Sequence, residues 1–510
     1  MSFEQDAENS GIVPTGIQGL DQISKGGLPR NRLYLVQGDP GTGKTTMALQ
    51  FLLEGARLGE TGLYVTLSET REELEGVAAS HGWSLDPITL YDVQGDEQHL
   101  NVEEEYTAFH PSEIELGSTV NALLEQVERV KPRRAVIDSL SEMRLLARDP
   151  LRYRRQILAL KHYFISRGCT LLLLDEPAGK MGEHQFQTLA HGVIMLERFA
   201  PEYGRSRRRL QIVKLRGVDF DGGYHDFKMR RGGLTVYPRL VAADSSKPFK
   251  DETLSSGVSE LDALLGGGPT RGTANLIMGA AGSGKSTVCL QYAVAAAARG
   301  DNATMFIFDE RLQTLLERAR GLGIDLENWM KKGRISVHQI DPATLSPGEF
   351  IHHVRHCVEV ENCGVVVIDS LNGYLNAMPG ERYMIIQMHE LLTYLARQGV
   401  VTWMVVAQHG LVGANIDAPV DLSYLADTVM LMRYFEFGGR VHKAISVVKK
   451  RGGPHEDSIR ELKMTSSGIK VGEPLVNFEG VLTGLPHYTG NANPLLGAHT
   501  DGDHRTAGIT

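Results

Sequence analysis

The sequence predicts an α/β chain of two tandem domains, each a mostly parallel sheet flanked by helices. Three observations carry that prediction. A glycine-rich stretch of the form GxxxxGK[ST] occurs twice, at residues 38–45 and 279–286. Each copy follows an apolar β-rich run and precedes a helical pattern, the context in which this motif forms a phosphate-binding P-loop. The flanking sequence repeats with it: Thr15-Gly-Ile-Gln-Gly-Leu-Asp21 matches Ser256-Gly-Val-Ser-Glu-Leu-Asp262. Finally, near-continuous apolar runs alternate with helical patterns, as in a parallel sheet covered on both faces.

The repeat sets the domain organisation. The offset is 241 residues between Lys44 and Lys285, 231 between Asp138 and Asp369, and 235 between Lys214 and Lys449. Small loop insertions and deletions account for the drift, and the period is a whole domain. The polar segment 243–248 divides the chain into an N-terminal domain, 1–245, and a C-terminal domain, 246–488, followed by a flexible tail, 489–510. Within the first domain, residues 32–36 form a short strand feeding the first glycine loop. Residues 45–57 follow as a helix, with the apolar pattern Met47, Leu49, Phe51, Leu52 and Ala56. Further strands are expected at 63–67, 134–138 and 170–174, and a helix at 72–79. The second domain repeats the order, with strands at 274–277, 304–308, 364–368 and 401–406 and a helix at 384–397. The partly basic segments 209–216 and 443–451 read as hairpin material, residues 1–14 as a loose arm, and glycines and prolines break up the pattern after about 470.

Composition bounds the class. With 510 residues, 42% hydrophobic and 23% charged, the chain can build two sizeable cores. A net charge of -9 argues against a constitutive nucleic-acid binder. Cys169, Cys289, Cys357 and Cys363 form no CxxC pair and are too sparse for a disulfide scaffold. No basic-plus-apolar leader opens the sequence and no run approaches about 18 apolar residues, so a cytoplasmic protein without membrane contact is expected.

The chemistry concentrates at the loops. Gly41, Thr42, Gly43, Lys44, Thr45 and Thr46, with Gly282, Ser283, Gly284, Lys285, Ser286 and Thr287, are the candidate nucleotide ligands. Backbone N–H groups wrap the phosphates, the lysines add charge, and the helix starts add their dipoles. Thr45 with Asp138, and Ser286 with Asp369, are the candidate Mg²⁺ ligands, each aspartate ending an apolar strand. Glu69, Asp309 and Glu310 end the next strand, where a carboxylate can polarise a water or a hydroxyl for attack on phosphorus. Lys214, Arg216, Lys449 and Arg451 recur late in each half. Alternation along a strand points both members of such a pair the same way, and the pair can reach a neighbouring subunit's nucleotide or form a solvated hairpin. Two readings also stay open for the run 205–209 (exposed hairpin or inward-facing channel) and for Asp175-Glu176 and Gln408-His409 (phosphate sensor or strand cap).

The doubled loops, the acids at 69 and 309–310, Asp138-Ser and Asp369-Ser, Lys214-Leu-Arg-Gly and Lys449-Lys-Arg-Gly, and Ile459-Arg-Glu461 together resemble the KaiC proteins over roughly residues 10–488. That resemblance implies two tandem RecA-like ATPase domains, ATP and Mg²⁺ as cofactors, and a double-ring hexamer with nucleotide between subunits. It implies a slow ATPase in the first ring and, in the second, a kinase that phosphorylates its neighbour, with a KaiB-like or signalling protein as candidate partner. The acceptor serine falls on Ser423, while Tyr424 stands where the clock proteins carry a threonine. Asp309 stands for the first of a glutamate pair, Ser68 for its counterpart in the first domain, and Ala418 for a threonine. These departures resemble the non-clock or minimal-timer members. Three functions follow as expectations: an ATPase with serine autophosphorylation, a non-kinase ATPase switch controlling a protein partner, and a RecA-like DNA-dependent ATPase.

Overall fold

Apolar strands that end in polar or glycine residues, each leading into a helix, build two sheets of the same design. The computed structural model describes all residues except 1–10, 94–110, 148, 178–186, 201–203, 243–245, 342, 377–383, 409–422, 483–485 and 491–510. It divides into two compact units, Met1–Arg239 and Leu240–Thr510. The division precedes the polar segment because Leu240 is buried in the second unit's core.

In the first unit the nine strands lie in the order Gly233–Tyr237, His225–Arg230, Arg207–Leu215, Gly192–Phe199, Leu33–Gly38, Thr170–Asp175, Arg134–Asp138, Gly62–Thr66, Thr89–Asp92. The strands from Gly192–Phe199 to Thr89–Asp92 run parallel, and the other three close the sheet as antiparallel hairpins. The second unit repeats this, with Ala274–Gly279 between Val401–Ala407 and Thr428–Phe437. Each loop-bearing strand therefore sits deep in its sheet, where both faces are covered. Leu33 and Leu35 face one core, Tyr34 and Val36 the other, which is why the strand reads as continuously apolar.

The helices Lys44–Arg57 and Lys285–Arg299 start directly at the loop lysines. Arg134 opens its strand yet is fully buried. Its guanidinium stacks 4.7 Å over Phe51, pairs with Glu60 at 2.5 Å, and donates to the carbonyls of Pro14 and Phe51 at 2.8 Å each. Gly55 leaves the space: a Cβ there would lie 2.5 Å from Arg134 Cδ.

Two sequence expectations change. The loose arm ends earlier than residue 14, since Ile12–Val13 pairs with Leu28–Pro29 and Val13 is buried. The sequence after 470 is more ordered than its glycines suggest: Gly468–Pro474 is a strand, and Leu475, Phe478 and Val481 pack on Phe435 and Ala444. A small apolar satellite core needs only a few residues, too few to set up a period. The tail beyond 490 lies outside the described residues. Among those described, no helix is long and apolar enough to cross a membrane.

Candidate active site

At the C-terminal edge of each central strand the chain turns through residues only glycine adopts readily. Gly41 and Gly43 have φ of 75° and 112°, Gly282 and Gly284 of 75° and 110°. The turn delivers the first N–H groups of a long helix to one point, a ready anion site. Lys44 Nζ donates to Gly38 O at 2.7 Å and lies 3.7 Å from the Glu176 carboxylate. Lys285 Nζ donates to Gly279 O at 2.8 Å and Ala280 O at 2.7 Å, and burial pulls its pKa down. Both ammonium groups thus rest on backbone carbonyls of the loop. Thr42 and Ser283 are fully buried; Thr42 caps the turn through Asp39 O at 2.8 Å, whereas Ser283 Oγ has no partner. Thr46 meets His81 Nε2 at 3.3 Å, and Thr287 accepts from Arg318 at 3.0 Å.

Beside the loops stand the strand-end aspartates. Thr45 Oγ1 donates to Asp138 Oδ2 at 3.2 Å, and Tyr64 donates to the same oxygen at 2.5 Å. In the second unit Ser286 stands beside Asp369 and offsets part of the burial that raises its pKa. Burial raises the pKa of both carboxyls. A hydroxyl next to a carboxylate is a pair of hard oxygen donors, which fits Mg²⁺ held partly by substrate phosphates. No cluster of three or more His, Cys, Asp or Glu suited to a metal occurs among the described residues. A loop site of this kind requires none.

The strand-end acids differ between the units. Glu69 is held by its backbone, with N–H to Thr66 Oγ1 at 2.9 Å, and its Oε2 is buried with no partner. Burial, then the charges of Asp138 and Glu73, raise its pKa to about 6 against the pull of Lys44. In the second unit Glu310 is paired with Arg318 at 2.5 Å, and Asp309 accepts from the Ser370 hydroxyl. A cavity of about 860 Å³ opens here, with Lys285, Ser286, Asp309, Glu310, Arg318 and Asp369 among its walls. That volume lies within the range of small-molecule sites.

The late basic pairs grip their own chain. Lys214 donates to Gln187 O, and Arg216 to Thr188 O at 3.2 Å. Lys449 donates to the carbonyls of Ser423 at 2.7 Å and Ala426 at 2.8 Å, and Arg451 to Tyr424 O at 2.8 Å. Each pair therefore clamps the turn that precedes the strand beside the loop. Tyr424 is 52% exposed. Ser423, Tyr424, Lys449 and Arg451 do not line the cavity around Lys285.

Asp175 is fully buried, accepting from Arg144 and, at 3.4 Å, from Gln37. Burial raises its carboxyl to about 6. It belongs to the interior, and Glu176 is the member of that pair facing Lys44. Gln408 is buried, while His409 and Ala418 lie outside the described residues.

Sequence reasoning missed Tyr64 and Arg318. Tyr64 sits inside an apolar run and reads as core. Its counterpart in the second half is Met305, and that contrast between repeats was the available signal. Arg318 lies on a helix, where a lone arginine reads as surface.

The family model described as ATPase: KaiC matches residues 13–241 and 254–476. The chain belongs to the KaiC ATPase family. It is 28% identical over 495 residues to the circadian clock protein KaiC3 of Synechocystis sp., covering 95% of this chain and 96% of that one. To the circadian clock oscillator protein KaiC of Thermostichus vulcanus it is 28% identical over 497 residues, covering 95% and 93%. To that of Synechococcus elongatus it is 28% identical over 484 residues, covering 92% and 91%. The family assignment carries with it two RecA-like domains and ATPase activity.

Proposed function

We propose that this KaiC-type ATPase hydrolyses ATP in both units and that its second unit also transfers the γ-phosphoryl group to Ser423 of a neighbouring copy. The observation that carries the reading is the placement of the acceptor. The family's late basic pair, Lys449 and Arg451, clamps the turn bearing Ser423, yet Ser423 does not line the cavity around Lys285 of its own chain. A second copy supplies it, within a closed ring for which a hexamer is the proposed form.

ATP is the substrate. The loop N–H groups and Lys285 hold its phosphates, and Ser286 and Asp369 hold Mg²⁺. Bound there, Mg²⁺ would supply counter-charge for the phosphoryl group being transferred. Ser423 Oγ attacks the γ-phosphorus, its proton passes to the Glu310 carboxylate, and the bond to the β-phosphate oxygen breaks to release ADP. Asp309 assists by fixing Ser370 after the strand end. In the first unit Glu69 has a free buried oxygen and activates water instead, next to Thr45 and Asp138.

Mass spectrometry of the protein after incubation with ATP and Mg²⁺ tests this. Phosphate on Ser423, abolished in Glu310→Gln, is the expected result; an unmodified Ser423 in assembled, ATP-hydrolysing protein overturns the kinase. One observation favours a second reading, an ATPase switch that signals to a KaiB-like or other protein partner without phosphorylation. Both acids of the second unit are engaged, Glu310 by Arg318 and Asp309 by Ser370. In that case ATP turnover persists with no phosphosite.

A further inference from the structure

Two arginines face the first glycine loop, and among the described residues neither has an acidic partner. In the hairpin of Gly192–Phe199 with Arg207–Leu215, Arg198 stands directly opposite Arg208, one step from the pair Glu197 and Arg209. Successive residues point to opposite faces. On one face Arg209 pairs with Glu197 at 2.8 Å, an ordinary cross-strand ion pair. On the other, two like charges oppose each other, an arrangement that costs stability unless an anion joins them. That second face meets the loop. Arg208 donates to Gly41 O at 3.4 Å, its Nε is buried with no partner, and a Cβ on Gly41 would lie 2.9 Å from Arg198 Nη1. Burial, then the charge of Arg198, lowers the pKa of the Arg208 guanidinium, as expected of cations crowded without a counter-charge.

The second unit carries different chemistry in the same place. The strand residue two beyond the one paired with the loop's first glycine is Arg198 in the first unit and Tyr434 in the second. Tyr434 is opposed by Lys443, and its hydroxyl donates to Ala281 O at 3.1 Å. Two guanidinium forks are thus replaced by a phenol and a single ammonium.

We infer that Arg198 and Arg208 form a two-pronged grip on the polyphosphate of the nucleotide at the first loop, making that unit the more demanding of a triphosphate. The inference rests on the reading of residues 38–45 as a nucleotide site. Guanidinium forks match phosphate oxygens in pairs, which a lone ammonium does not.

The test uses the full chain with Lys285→Ala, so that binding reports the first unit, and a fluorescent ATP analogue with its ADP counterpart as probes. Arg198→Met is expected to raise Kd for the triphosphate about tenfold and Arg208→Met by a similar factor, with a smaller effect on the diphosphate. Arg198→Lys recovers part of the loss. The reciprocal change, Tyr434→Arg in a Lys44→Ala chain, is expected to tighten triphosphate binding at the second loop, and it stays informative if the arginine variants fold poorly. Unchanged triphosphate affinity in both arginine variants, while Lys44→Ala in the same background abolishes binding, overturns the grip and leaves the site standing. Binding that survives Lys44→Ala in that background overturns the site itself.

Discussion

Asp138 shows how one carboxylate is shaped by its neighbours. It accepts from Thr45 and from Tyr64 at the same oxygen and is itself buried. Removing the phenol leaves a buried carboxylate short of a donor, a loss of about 1–3 kcal/mol. Tyr64→Phe is therefore expected to lower thermal stability of the first unit and to cut its ATP turnover severalfold. The measurement is phosphate release in a Lys285→Ala background. A variant as active and as stable as its parent removes Tyr64 from the site. Much at this scale was legible in the sequence. Lys44, Thr45 and Asp138 are typed by chemistry that tolerates little else. Tyr64 and Arg318 were not legible, because a partner that acts across strands or from a helix face carries no local pattern.

At the scale of elements, apolar runs bounded by glycines and acids reported the strands closely. The helix expected at 384–397 is Met384–Arg397, and the strand expected at 134–138 is Arg134–Asp138. The interior of that strand's first residue was hidden. An arginine at a strand start reads as solvent-facing, yet Arg134 is sealed between Phe51, Glu60 and Pro14. Gly55, which looks like a flaw in a helix, makes the room. Glu60 keeps Arg30 at 2.6 Å, but Arg134→Ala opens a cavity beneath Phe51 and leaves the Pro14 and Phe51 carbonyls without their donor, so it is expected to cost about 2–4 kcal/mol. Chemical denaturation followed by fluorescence of Trp83, the one tryptophan of the first unit, reads it. The double change Arg134→Met with Glu60→Gln is expected to recover much of that loss.

For the whole molecule, the question is whether one copy completes another. Mixing a Lys285→Ala chain with a Ser423→Ala chain tests it. Under transfer between copies, phosphate appears on Ser423 of the loop-defective chain, although that chain cannot use ATP in its own second unit. Phosphate that appears only when loop and serine share a chain contradicts transfer between neighbours. The two-domain plan was plain from the repeat, because a 241-residue offset between like motifs leaves little freedom. The proposed assembly was less so, since residues that would meet a neighbour carry no period of their own.

The walls behind the two loops have drifted apart in a way that now isolates them. In the first unit Arg144 and the buried Asp175 and Gln37 form a polar chain that continues through Gln187 to Lys214. At the matching positions the second unit has Val406 in its apolar core, with Leu375 and Met278 packed against it. A short stretch copied from one half of the gene into the other would set a lone arginine or aspartate among hydrocarbon, or leave one of them without its mate. Recombination between the halves is thus penalised at the first crossover, and each half is free to specialise without being overwritten by its twin.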